Sequence, residues 1–277
     1  MLSKFYGALS SKGLGRFFPD QFKAIMARLV LLTYPEMIEV RLLNGRVIKF
    51  PRKNSGYTHL VLRGHYERNT AELMNQISGN FDLFCDVGSN FGYFALIANS
   101  KKIIAIEPED YNYSILQENI RRNNLDIQAL KAAISNKKGT EKLFISEIPG
   151  RHSLKIQNVL GDVIDRIEVV VNTLDNILSD YMDQSMLIKI DAEGLEPKVF
   201  EGMKKILEKN NIAIILEYTP DIYTEQEREF IQEIIARDFR IFNLHDRLKN
   251  PVLIDHNKFR NIEYPTNLFL IKNSFAN

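Results

Sequence analysis

Hydrophobic positions along the chain fall into short continuous runs separated by stretches of helical spacing. Phe81–Val87, Lys102–Ile106, Ile127–Ile134, Met186–Ile190 and Ile212–Leu216 are mostly apolar, with few polar residues among them. Runs this short suit strands buried on both faces, as in a parallel sheet. Between them, Tyr111–Asn123 puts Ile115, Leu116 and Ile120 on one face, the spacing of a helix that packs on a sheet. Tyr93–Ala98 reads as a short helix, and Pro197 suits the first turn of one running to about Lys209. Thr224 with Glu227 forms a capping box for a helix to Arg237. Alternation of strand and helix predicts an α/β, doubly wound, mostly parallel sheet.

Other stretches add to this frame. Ile38–Phe50 alternates around Asn44-Gly45, a hairpin signal. Arg52–Tyr66 reads as a polar loop and Glu72–Ile77 as a short helix. Glu141–Ser146 and Arg166–Val171 read as strands, Asn136–Gly139 as a turn, and Thr173 as the N-cap of Leu174–Leu178. Arg240–Leu244 and Leu268–Ile271 predict an antiparallel terminal hairpin. In residues 1–35, Phe5, Tyr6, Leu9, Phe17 and Phe18 mix with Lys4, Lys12 and Arg16, ahead of an apolar helix over Gln21–Tyr34. This prefix reads as a helix packed on the main domain, with peripheral membrane contact as the alternative. The expected division is an extension over 1–65 and a catalytic domain over 66–277.

Composition narrows the class. A 45% hydrophobic and 26% charged chain of 277 residues is that of a soluble globular protein. Net charge of +1 gives no general pull toward nucleic acid. No apolar run reaches the ~18 residues of a spanning helix, and no signal-peptide core is present. Cys85 is the single cysteine, so no internal disulfide can form. The expectation is a cytoplasmic protein.

Candidate chemistry concentrates in Phe81–Pro108. A strand ends at Asp86, Gly88 and Gly92 frame a tight turn, a helix follows, and the next strand closes on Glu107. That acid is placed as the one that meets a ribose hydroxyl pair in a nucleoside-binding βαβ unit. A dinucleotide site would show G-x-G-x-x-G, whereas this turn reads G-S-N-F-G beside a carboxylate that repels a pyrophosphate. An ammonium-bearing ligand such as S-adenosylmethionine fits better. An NAD-linked oxidoreductase and a non-catalytic binding module stay as alternatives.

Four acids, Asp86, Glu107, Asp191 and Glu217, fall at the carboxyl ends of expected strands, where such sheets bind ligands. Leu187–Glu196 (LIKIDAEGLE) is the densest stretch, with Lys189, Asp191, Glu193 and Glu196 in ten residues. His- or Cys-rich spacing of a zinc site is missing from the sequence.

DVGSNFGYFAL, IEP with Asn112, Glu118-Asn119, VNTLDNIL, LIKIDAEGLEPKVFEGM and ILEYTP occur in an order and spacing that resembles the FkbM family of S-adenosylmethionine-dependent methyltransferases. The resemblance covers about Tyr66–Pro220. It implies a class I methyltransferase (Rossmann-like), mostly parallel seven-stranded sheet. It also implies O-methylation of a sugar, glycan or secondary-metabolite hydroxyl. The near-neutral charge and the lack of an N/D-P-P-Y/F-type motif argue against nucleic acid as partner. By the same resemblance, Asp86, Gly88, Ser89, Asn90 and Gly92 form the cofactor loop. Glu107, Pro108 and Asn112 hold the ribose, Ala132 and Ala133 pack near the adenine, and Asp191 and Glu193 face the transferred methyl and the acceptor. Tyr66-Glu67 is similar to a Y-E pair that precedes the core. PGRHS departs from the family's small-residue loop at His152. A sugar hydroxyl is a poor nucleophile, so a base is needed. Asp191 is the first choice, Glu217 and His152 the alternatives. Asp191 with Glu217 holding Mg²⁺ is a further option.

Overall fold

The computed structural model describes residues 35–52, 60, 65–148, 151–159 and 161–273. The expected helix at 21–34, and most of the loop with Tyr57, His59 and Arg63, lie outside the described residues. The hairpin forms as read: β1 (Met37–Arg41) pairs antiparallel with β2 (Val47–Pro51). Then come α1 (Arg68–Ile77), β3 (Leu83–Val87), α2 (Tyr93–Ile97), β4 (Lys102–Ile106), α3 (Asp110–Arg122), β5 (Ile127–Leu130), β6 (Ala133–Ile134), β7 (Gly139–Ser146) and β8 (Val163–Asn172). The chain continues with α4 (Leu174–Ile177), β9 (Ser185–Ile190), α5 (Glu196–Glu201), α6 (Lys204–Lys209), β10 (Asn211–Tyr218), α7 (Glu225–Asp238), β11 (Phe239–Asn243), β12 (Val252–Ile254), α8 (His256–Arg260) and β13 (Thr266–Lys272).

The main sheet runs in the order β12-β11-β13-β10-β9-β3-β4-β5. β10, β9, β3, β4 and β5 are parallel, and β13 inserts antiparallel between β10 and β11. The expected seven strands are there, and β12 adds a three-residue edge. Alternate residues of each central strand point to opposite faces. Phe84, Leu187 and Ile215 join one apolar core with the hairpin's Ile48 and Phe50. Cys85, Ile188 and Ile214 join the other, beneath α5, α6 and α7. Connections leave β3 toward β4 on one side, while β9 lies on the other, so the carboxyl ends of β3 and β9 flank the switch point where open α/β sheets bind ligands.

Three expectations need correction. The run at 127–134 is two strands, because the chain turns at Lys131–Ala132 and β6 leaves the main sheet to pair with β8. With β7 antiparallel to β8, this makes a separate three-stranded sheet. The helix from Pro197 to Lys209 is two helices. The Gly202 carbonyl accepts from the Asp175 amide, while the Asp175 carboxylate accepts from Lys205 N and Ile206 N and so caps α6. Last, α1 starts earlier than read, at Arg68, from a left-handed Glu67 with φ of 42°.

Candidate active site

One broad cavity opens over the carboxyl ends of β3, β4, β9 and β10, enclosing about 1190 Å³ counted to its open mouth. Its first end is built by the glycine turn. Gly88 holds φ of +76°, and a Cβ there would stand 1.9 Å from the Asp191 carbonyl oxygen. Only glycine lets β3 and β9 end in contact, and the Asp191 amide donates to the Val87 carbonyl at 3.1 Å. Ser89 ties the turn to β4, donating to Asp86 O and accepting from Ile106 N. Asn90 is left-handed at φ of 50°, its amide donates to Glu107 Oε2 at 2.9 Å, and its own Oδ1 is buried with no partner among the described residues.

Glu107 is 5% exposed and also accepts from Glu109 N at 3.0 Å and, at 3.5 Å, from Asn112 Nδ2. Burial raises its pKa to about 7, against the pull of these hydrogen bonds. Pro108, Ala132, Ala133 and Ile134 continue this wall. Leu143 of β7 joins them, a contribution that local pattern did not reveal.

Two expected members of this end stand behind the wall. The Asp86 carboxylate is 1% exposed, accepts from Ala95 N in α2, and lies on the strand position directly opposite Lys189. It therefore anchors α2 and faces Lys189 rather than a ligand's ammonium. Burial raises its pKa to about 6, with Lys189 opposing. Gly92 packs its bare Cα against Leu116 Cδ1 of α3, not against the cavity.

The second end is acidic and carries two cations. Asp191, Glu193 and Glu217 place carboxylate oxygens within 4.8 Å of one another. Lys189 Nζ lies 2.7 Å from Asp191 Oδ2 and 4.7 Å over the Phe94 ring, with the residue 1% exposed. Burial pulls the ammonium toward neutrality, but Asp191, Glu67 and Asp86 outweigh it and hold it above its ordinary value. Burial would likewise raise Asp191, yet Lys189 and a hydrogen bond with Glu217 outweigh it and leave Asp191 below the usual range. Glu217 is raised well above its usual value by burial and the Asp191 charge. Glu193 is raised to about 8 by burial and Asp191, with Arg151 opposing. Within this group Asp191 is the favoured anion, while Glu193 and Glu217 are displaced toward their protonated forms.

The loop that carries Glu193 is fixed from beneath. Glu193 is left-handed at φ of 48°, which stores backbone strain. Glu196 is 1% exposed, accepts from Ala192 N at 2.8 Å and Gly194 N at 3.3 Å, and accepts from the Tyr223 hydroxyl at 2.9 Å. From the far side Ser153 Oγ donates to the Glu193 carbonyl, and Arg151 reaches its carboxylate. His152 lines the cavity, but its Nδ1 accepts the Ser146 amide at 3.1 Å. Burial lowers its pKa, so the ring is neutral with its hydrogen on Nε2. A ring in that tautomer donates from Nε2 and cannot take a proton there, which corrects its candidacy as base.

Sequence reading named Lys189 and Glu67 without giving them a role at the site, and it passed over Arg151, Tyr223 and the buried role of Glu196. The one available signal was a lysine inside an otherwise apolar strand, a position that demands charged partners when buried.

The acid group is a poor fit to Mg²⁺. Lys189 already supplies the cation at Asp191, and Arg151 adds a second positive charge beside Glu193. S-adenosylmethionine does fit. Glu107 and the unpartnered Asn90 Oδ1 offer acceptors for hydroxyls and an ammonium group, and the alanine wall offers a flat apolar face.

A hexuronic acid methyltransferase, AglP, from Haloferax volcanii is 28% identical over 163 residues, which is 56% of this chain and 62% of that protein. The match thus spans less than two thirds of AglP. A solved methyltransferase FkbM from Methylobacillus flagellatus KT superposes with a TM-score of 0.45 at 14% identity, over 91% of this chain and 60% of that one. TYW2 of M. jannaschii, solved in complex with AdoMet, gives a TM-score of 0.46 at 13% identity, over 86% of each chain. No helix among the described residues is long and apolar enough to cross a membrane. Residues 86–242, more than half of the chain, match the methyltransferase FkbM domain, and the protein belongs to that family of methyltransferases.

Proposed function

We propose that the protein is an S-adenosylmethionine-dependent O-methyltransferase acting on a hydroxyl of a sugar, glycan or similar small-molecule acceptor. The observation that carries this reading is the continuity of one cavity from Glu107 to Asp191, Glu193 and Glu217. The name of the AglP relative supports a sugar as the acceptor class. We assign the extension to residues 1–65 and the methyltransferase domain to 66–277, with residues 1–65 and 221–277 shaping the acceptor pocket.

When bound, S-adenosylmethionine supplies a methyl group already activated on a sulfonium. Glu107 would accept from the ribose hydroxyls, Asn90 Oδ1 would accept from the ammonium, and Ala132 and Ala133 would face the adenine. The methyl would pass from the sulfonium to the acceptor oxygen, leaving S-adenosylhomocysteine. Asp191 would take the proton that the acceptor's hydroxyl gives up. Lys189 holds the Asp191 pKa low and makes this carboxylate a weak base, but it can take this proton because the hydroxyl turns strongly acidic while its oxygen is being alkylated. Lys189 and the protonated Glu217 hold the Asp191 carboxylate in place, and lone pairs remain for the acceptor. Alignment of oxygen, methyl and sulfur supplies much of the remaining acceleration.

Calorimetric titration with S-adenosylmethionine, S-adenosylhomocysteine and NAD tests the cofactor, on the protein and on Glu107→Ala. Binding of the two adenosyl ligands, weakened by the substitution, is the expected result. Binding of NAD alone overturns the reading. Transfer of a labelled methyl to a panel of glycosides then tests the acceptor class.

A further inference from the structure

The two cations at the acceptor end differ in how far they are committed. Lys189 is buried and its ammonium is held 2.7 Å from Asp191. Arg151 lines the cavity with 42% of its side chain exposed. Only its Nη1 reaches a protein carboxylate, at 3.3 and 3.4 Å from the two oxygens of Glu193. Charge-assisted N–H···O bonds close to about 2.7–2.9 Å. Nε and Nη2 have no side-chain or carbonyl partner among the described residues. Two sides of the guanidinium fork are therefore free to meet a ligand.

The charges of Glu193, Glu217 and Asp191 all bear on Arg151, but only Glu193 reaches it, and through one nitrogen. A neutral sugar has no need of such a group, whereas a planar carboxylate matches the fork in shape and charge. Arg151 already lies across both oxygens of one carboxyl, that of Glu193.

Resting on the methyltransferase reading above, we propose that Arg151 binds a carboxylate on the acceptor, so that the substrate is an acidic sugar or another hydroxy acid. Glu193 occupies the guanidinium until the acceptor arrives. Arg151 is then a specificity-determining residue, apart from the group that takes the proton.

The test is calorimetric binding, in saturating S-adenosylhomocysteine, of methyl β-D-glucuronide, methyl β-D-glucoside and methyl β-D-glucoside 6-phosphate. The glucuronide is expected to bind roughly tenfold or more tightly than the glucoside, the size of a charged hydrogen-bonded contact. In Arg151→Met that ratio falls toward one, and in Arg151→Lys, which keeps charge without the fork, it is only partly kept. Equal binding of glucuronide and glucoside, no measurable binding of either, or selectivity that survives Arg151→Met overturns the proposal. Tighter binding of the phosphate than of the glucuronide overturns the choice of carboxylate. S-adenosylhomocysteine affinity separates the two levels. Its absence in the unaltered protein sinks the methyltransferase reading itself, and its retention in Arg151→Met shows that this variant is folded.

Discussion

The two ends of the cavity are built by different means. The Glu107 end comes mostly from one continuous stretch, Val87–Asn112, with backbone amides satisfying its single carboxylate. The Asp191 end gathers side chains from β9, β10 and the loop after β7, and it is stabilised by opposed charges rather than backbone. A fixed ligand can be met by a rigid local motif. Proton transfer to a variable acceptor needs groups whose charge is set by one another. Gly88 joins the two ends, since its missing side chain is what lets the Asp191 carbonyl approach.

The largest effect is expected at the charged end. Asp191→Asn should lower methyl transfer by about 10³-fold, the range of a general base, with S-adenosylhomocysteine affinity changed only a few-fold. Rate and calorimetry on the same preparation check this split. Turnover that survives would move the base elsewhere.

Gly88→Ala should damage both ends at once. The φ of +76° and a Cβ 1.9 Å from backbone oxygen demand movement of β3 or β9. A loss of about 3 kcal/mol or more in stability is expected from strain and overpacking together. Thermal unfolding reads the loss, and a drop in both cofactor affinity and turnover distinguishes it from injury to one end alone.

The Glu107 end should show a pH dependence of its own. Glu107 has a pKa raised to about 7 by burial, and the ionised form is the better acceptor of ribose hydroxyls. Affinity for S-adenosylhomocysteine should therefore rise between pH 6 and 8, and flatten in Glu107→Gln. Stability runs the opposite way. The folded carboxyl holds its proton to higher pH than the unfolded one, so its contribution is full below the unfolded pKa of 4.5. That contribution is lost as pH rises toward 7. Affinity titrations and unfolding at several pH values measure both signs.

The smallest effect belongs to a site remote from the cavity. Thr224→Ala removes the capping box that opens α7, and should cost about 1 kcal/mol. A fall of roughly 2–4 °C in Tm with methyl transfer unchanged is expected.

The chain's own order of residues was enough to place the central parallel strands, the Asn44-Gly45 hairpin, the Thr224–Glu227 cap, and Glu107 at the end of β4. These depend on period and on neighbours within a few residues, which sequence carries directly. Family membership was legible for the same reason, because LIKIDAEGLE and DVGSNFG are contiguous. The break at Lys131–Ala132 and the split between α5 and α6 were not. The first is set by where β8 pairs, and the second by an Asp175 that reaches back from α4. Asp86 looked like a ligand contact because it ends a strand beside glycine, but its side chain faces Lys189 and α2 instead. Whether an acid meets a ligand or a lysine depends on which face of the sheet it takes and on what stands on the neighbouring strand. Residues far apart in the chain settle that, Asp86 beside Lys189 across about 100 positions and Arg151 beside Glu193 across 42, and only the assembled fold brings them within reach of each other's charge.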